Sequence, residues 1–157
     1  MTAGPAYATR HLGFHIESDS LLAGGAPDDV LAGLCGLWDL FLGDDEQWLY
    51  TPFDLKGLVS FDHSLWLTRG EGDWNVEVLE KLVDTPNPFS DVLITLSSGA
   101  RSKVAHSLRQ LQPTTTLEII NSTPVQWYQD PAEPAALGWF IHQRLGGVAR
   151  RTEEASQ

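Results

Sequence analysis

Proline and glycine divide this chain into short segments, and that punctuation constrains its fold more than any other feature. Pro27, Gly43, Pro52, Gly70, Gly72, Pro86, Pro88, Pro113, Pro131, Gly146 and Gly147 fall between stretches with a regular apolar pattern. Proline fixes φ and has no N–H to donate, and glycine weakens helices and strands alike. Each periodic stretch is therefore expected to end where one of these residues stands. None of the stretches is an unbroken apolar run of about 18 residues, so no membrane span is expected.

The stretches alternate between two periods. In residues 11–17, Leu12, Phe14 and Ile16 face one way, while His11, His15 and Glu17 face the other, the period of a half-buried strand. Residues 30–42 place Val30, Leu31, Leu34, Leu37, Trp38, Phe41 and Leu42 at helical spacing, after Pro27-Asp28-Asp29 and before Gly43. Residues 47–53 and 58–68 read as two strands of a hairpin turning at 54–57. A helix over 75–83, capped by Asp73, carries the stripe Val76, Leu79, Leu82 and Val83. Residues 91–96 read as a buried strand. A helix capped by Ser97 or Ser98 follows, with the stripe Val104, Leu108 and Leu111. The β-branched run 114–120 reads as a further strand, and residues 132–145 as a last helix ending at Gly146-Gly147.

That order predicts an α+β domain. Its mixed sheet of about five strands is joined by about four helices, with a ferredoxin-like βαββαβ start and a C-terminal αβα extension. Residues 1–157 form one domain, with loose tails at about 1–9 and 148–157.

Charge narrows the partners. Twenty-one Asp and Glu against ten Lys and Arg give a net charge of −11. A polyphosphate would be repelled by that excess, so nucleic acid is an unfavoured partner. A basic protein surface would be attracted. The same charge also serves solubility alone. Cys35 is the single cysteine, so an intramolecular disulfide is excluded, and its place in the apolar run 30–42 makes it a small core hydrophobe. With no apolar leader in residues 1–10, the expected compartment is a reducing cytoplasm.

Four groups of residues could carry function. The loop Ser97-Ser98-Gly99-Ala100-Arg101-Ser102-Lys103 opens a helix, where unpaired backbone N–H groups and the helix dipole favour an anion. Ser98, Gly99, Arg101, Ser102 and Lys103 would add donors or room for a small anionic ligand. The bland alternative is a helix cap with solvated cations. Full P-loop and dinucleotide fingerprints are absent. Six tryptophans supply the second group. Trp38 and Trp139 fall in helix stripes and are expected in the core. Trp48, Trp66, Trp127 and Tyr128 lie on the polar face of a strand or near loops, where they would form an aromatic contact or a pocket. His63 and Asp62 are acid/base candidates; adjacent on a strand, they would point to opposite faces. A histidine on an apolar strand face is otherwise a hydrogen-bonded core residue. His11 and His15 are about 13 Å apart on a strand, too far to share one metal. No metal or cofactor is implied. Glu77, Glu80 and Lys81 lie on a solvated helix face and do not make a nuclease centre.

The favoured function is a small acidic protein-interaction module, of the immunity or antitoxin type or a regulatory partner of a basic protein. The first alternative is a small-molecule enzyme or ligand-binding domain, with an aromatic pocket and an anion loop at 97–103. The second is a structural subunit of an assembly.

Overall fold

The computed structural model describes residues 16–18, 20–22, 25–50, 58–60, 63–68, 72–124, 126, 128 and 130–155, with backbone alone at 16–18 and 64. Among these residues the chain is mostly helical. The elements run β1 (Ile16–Ser18), α1 (Asp28–Leu40), β2 (Trp48–Tyr50), β3 (Leu58–Ser60), a 3-10 turn (His63–Leu65), α2 (Val76–Leu82), α3 (Ser90–Leu93), α4 (Ser98–Gln110), α5 (Pro113–Asn121) and α6 (Glu133–Glu154).

This overturns the five-stranded ferredoxin-like sheet. The described sheet has three short antiparallel strands in the order β1-β2-β3. Its registers set Ile16 opposite Tyr50, and Trp48 opposite Ser60. The pairing of the two hairpin segments holds, but the second strand ends at Ser60 instead of Thr68. Residues 91–96, expected as a strand, form the short helix α3 and the turn after it. The β-branched run 114–120 lies inside helix α5.

The physical reason is visible at α5. Pro113 stands at its first turn, a position that suits a residue with helical φ and no N–H to give. Thr116 and Ile120, one helical turn apart, are buried. Leu117 packs against the backbone of Gly138 in α6, where a Cβ would sit 2.9 Å from Leu117 Cδ2. Threonine and isoleucine give up about 0.4–0.7 kcal/mol each in a helix. Burying the Ile120 side chain returns about 1.5–3 kcal/mol, and the burial of Thr116 and the packing of Leu117 on Gly138 add to it, so packing decides.

The end of α6 follows the same arithmetic. The expected stop at Gly146-Gly147 and the loose tail from 148 are not observed; the helix continues to Glu154. Two helical glycines cost about 2 kcal/mol together. Beyond them Val148, Ala149 and Thr152 are all buried, and Arg151 holds Asp39 with Nε–Oδ2 2.7 Å.

α1 links two apolar clusters. Leu31, Ala32, Cys35 and Trp38 pack with Leu21, Trp48, Tyr50, Val92, Leu93 and Leu96. Leu40 joins the cluster of Leu42, Leu79, Ile120, Phe140, Ile141, Leu145 and Val148. Gly36 lets α4 approach, since a Cβ there would meet Val104 Cγ1 at 3.3 Å. Trp139, expected in the core, is 41% exposed, and its neighbour Phe140 fills the core instead.

α1 ends in a Schellman turn. The Gly43 N–H bonds Trp38 O at 2.7 Å and the Leu42 N–H bonds Asp39 O at 3.4 Å. The left-handed position falls on Leu42 (φ 54), not on glycine. Gly43 is required for another reason: a Cβ there would lie 2.5 Å from the Trp38 ring. In α2 the cap is Asn75, whose side chain accepts from the Val78 N–H at 3.0 Å, and not the expected Asp73.

Candidate functional site

The outer face of α1 does not close against another helix along its whole length. Leu34, Leu37 and Phe41 instead form one wall of a cleft of about 750 Å³. The opposite wall is Leu58, Val59 and Ser60 of β3 with His63, Trp66 and Leu67 of the following turn, and Trp74 completes it.

The turn that carries His63 and Trp66 is fixed to the end of α1. The Leu67 N–H donates to Phe41 O at 2.7 Å, with Leu67 held in the left-handed region at φ 70. A non-glycine residue there costs about 1–2 kcal/mol. Such strain collects at binding and catalytic sites. Thr68 Oγ1 then donates to Gly72 O at 2.8 Å. Behind the cleft, Trp38 braces Trp66 edge to face, ring centroids 5.7 Å apart and planes at 73°. Trp38 also meets Phe89 at 5.0 Å and Trp48 at 6.1 Å.

One end of the cleft is polar. Ser60 Oγ and His63 Nε2 share a hydrogen bond of 2.8 Å. The His63 ring stands edge-on to Trp66, centroids 4.4 Å apart. On an extended strand, residues three apart face opposite ways. The 3-10 turn at His63–Leu65 removes that restriction and brings the pair together. His63 is therefore exposed beside a cleft and does not lie on an apolar strand face. Asp62, Trp127, His11 and His15 lie outside the described residues.

The other aromatic candidates do not meet here. Trp48 is 1% exposed, sunk beside Trp38. Tyr128 packs in the second apolar cluster, its hydroxyl donating to Ile120 O at 3.1 Å. No residue of 97–103 lines the cleft.

The loop at 97–103 meets the chain's own groups. The Ser97 N–H donates to Asp28 Oδ2 at 2.9 Å, and this bond, then one from the Ser97 hydroxyl, holds the Asp28 carboxyl below its ordinary value. Lys103 pairs with Asp29 at 3.2 Å. Arg101 Nη1 donates to Leu93 O at 3.0 Å, while its Nε is buried with no hydrogen-bond partner. Ser98, Gly99 and Ser102 are exposed. Cys35 is buried, and burial pushes its thiol up to about 12. Among the described residues no cluster of His, Cys, Asp and Glu has metal-binding geometry. No described helix is long and apolar enough to cross a membrane.

Comparison of the chain with protein-family models, curated proteins and solved structures finds no match.

Sequence patterning missed Ser60, Leu34, Leu37 and Trp74 as cleft residues, and it missed a buried charge cluster altogether. Asp39 sits among the buried residues of α1 and Arg144 among those of α6. A charge at a stripe position is the signal that marks both. Burial, above all other causes, pushes the Arg144 guanidinium down to about 10, with Asp39 opposing that shift.

Proposed function

We propose that this chain binds a small, mainly apolar molecule in the cleft between α1 and the β3 turn. The observation that carries the reading is the lining. Leucine, valine, phenylalanine and tryptophan surround a volume of about 750 Å³, and the hydrogen-bonded pair Ser60 and His63 supplies polar groups to its lining. Ligand sites span about 300–1,000 Å³ and combine apolar walls with a few placed polar groups. The matching ligand has a planar or branched apolar body that lies against Trp66 and Trp74. One hydroxyl, amide or carboxyl group reaches Ser60 and His63.

The anion loop at 97–103 does not contribute to this reading, because none of its residues lines the cleft. Contact with a basic protein remains a second reading. It is supported by the exposed Leu117, Ile119 and Trp139 on α5 and α6, together with the net charge of −11.

Titration with aromatic alcohols and acids, followed by tryptophan fluorescence and amide shifts, tests the cleft. The expected result is saturable binding that Leu37→Arg abolishes and Ser60→Ala weakens about threefold to tenfold. Leu37 is already 44% exposed, so its replacement leaves the fold intact. Binding that ignores both substitutions would overturn the proposal.

A further inference from the structure

A second cleft, sharing no lining residue with the first, has the opposite character. It has a volume of about 290 Å³ and is lined by Val83 and Asp84 after α2 and by Gln143, Arg144, Gly147, Arg150 and Arg151 of α6. Three of the chain's ten cations stand around it. Gln143, Gly147, Arg150 and Arg151 fall four, seven and eight residues along α6, which brings them to one face.

Three guanidiniums here face two carboxylates, Asp39 and Asp84, so the charges do not cancel. Asp39 is a single carboxylate shared by Arg144 and Arg151. Its Oδ1 and Oδ2 take Nη2 and Nε of Arg151 at 3.0 and 2.7 Å. Nη1 of Arg151 is outside that fork, beside Gly147, where a Cβ would stand 3.1 Å from it. The glycine keeps that side of the guanidinium open. Arg150 is exposed and, among the described residues, has no hydrogen-bond or ion-pair partner. The other described cations, Lys81, Lys103, Arg109, Arg144 and Arg151, sit in ion pairs, and Arg101 is bound to Leu93 O. In a chain of net charge −11, an arginine without a carboxylate beside a second, half-neutralised arginine is a local reversal of sign.

We propose that this cleft binds a small oxyanion of the phosphate type. Arg150 and the outer N–H groups of Arg151 would grip two of its oxygens, and the Gln143 amide a third. Arginine forks match such oxygens in geometry and bond them more strongly than neutral donors do. Arg144 makes no direct bond to the ligand, because its N–H groups are taken by carbonyls and Asp39. Asp84 on the lip opposes binding and limits affinity.

The test uses the full chain with inorganic phosphate and with methyl phosphate, each set against sodium chloride at equal ionic strength. Saturable amide shifts centred on Gln143, Gly147 and Arg150 are expected. Arg150→Ala should weaken binding about tenfold, the worth of one charge-assisted hydrogen bond. Asp84→Asn should tighten it about twofold to fivefold by removing a like charge. Binding of both probes assigns the site to a phosphate monoester end; binding of inorganic phosphate alone assigns it to the free ion. A response no larger than that to chloride, or one that survives Arg150→Ala unchanged, would overturn the site.

Discussion

Asp39 and Arg144 meet between α1 and α6, with Oδ1 and Nη2 3.3 Å apart and their side chains 2% and 1% exposed. The guanidinium does more than pair. It donates to the carbonyls of Asp39 and Leu40 at the end of α1, and of Leu82, Val83 and Thr85 at and after the end of α2. Helix C-termini leave carbonyls unbonded and carry partial negative charge. One cation therefore closes two helix ends. Arg144→Met should cost about 3–5 kcal/mol, the range for removing one partner of a buried pair. Adding Asp39→Leu should not restore stability, because the carbonyls of Leu40, Val83 and Thr85 stay unbonded and Arg151 and the Asn87 N–H lose their acceptor. Urea unfolding at unchanged m-value measures both. A double variant as stable as wild type would show that the carbonyl bonds contribute little.

How much of this was legible in the sequence differs by element. The starts of α1, α4 and α6 and the body of α2 were marked by proline, serine or acidic residues and a clear helical stripe. α3 and α5 were not, because their own residues argue against helix, and the last turns of α6 were hidden by the Gly146-Gly147 pair before them. Thr114 to Ile120 favour strand locally, and only the close approach to Gly138 of α6 reverses that. The Asp39–Arg144 pair joins residues 105 apart in sequence, and no local pattern matches a carboxylate to a distant guanidinium. The Ser60–His63 pair needed the 3-10 turn, which the alternation of apolar residues over 58–68 conceals.

Thr115 offers a direct check on α5. It is exposed within the helix. Alanine exceeds threonine in helix propensity by about 0.5–0.7 kcal/mol, whereas in a strand the preference reverses. Thr115→Ala should therefore raise the urea midpoint. A fall would return residues 114–120 to a strand.

Three glycines should respond to alanine with opposite signs. At Gly33 and Gly146, both helical, an added Cβ meets nothing within 4 Å. Each substitution should stabilise by about 0.4–1 kcal/mol. At Gly43 the Cβ would sit 2.5 Å from the Trp38 ring, which is hemmed in by Trp48, Trp66 and Phe89. Gly43→Ala should destabilise by about 1–3 kcal/mol. Thermal unfolding of the three variants separates them. Equal shifts would contradict the packing around Trp38.

Cys35 makes stability depend on alkaline pH. Burial raises its pKa in the folded chain from 9.0 to about 12. An unfolded thiol ionises near its ordinary value, so the unfolded state loses the proton first. The thiol's contribution is complete below pH 9 and is lost as pH rises towards 12. Over that window the loss is about 1.4 kcal/mol per pH unit. Lysines and tyrosines titrate in the same range, so the informative quantity is the difference in slope between wild type and Cys35→Ala. Wild type should fall more steeply above pH 9 by about that amount, and the two should run parallel below it. The same burial predicts that a thiol reagent labels Cys35 only as fast as α1 opens. The labelling rate should rise in step with urea and follow the unfolding equilibrium. Rapid labelling of the native chain would mean that the wall formed by Leu31, Trp38 and Leu93 opens without unfolding.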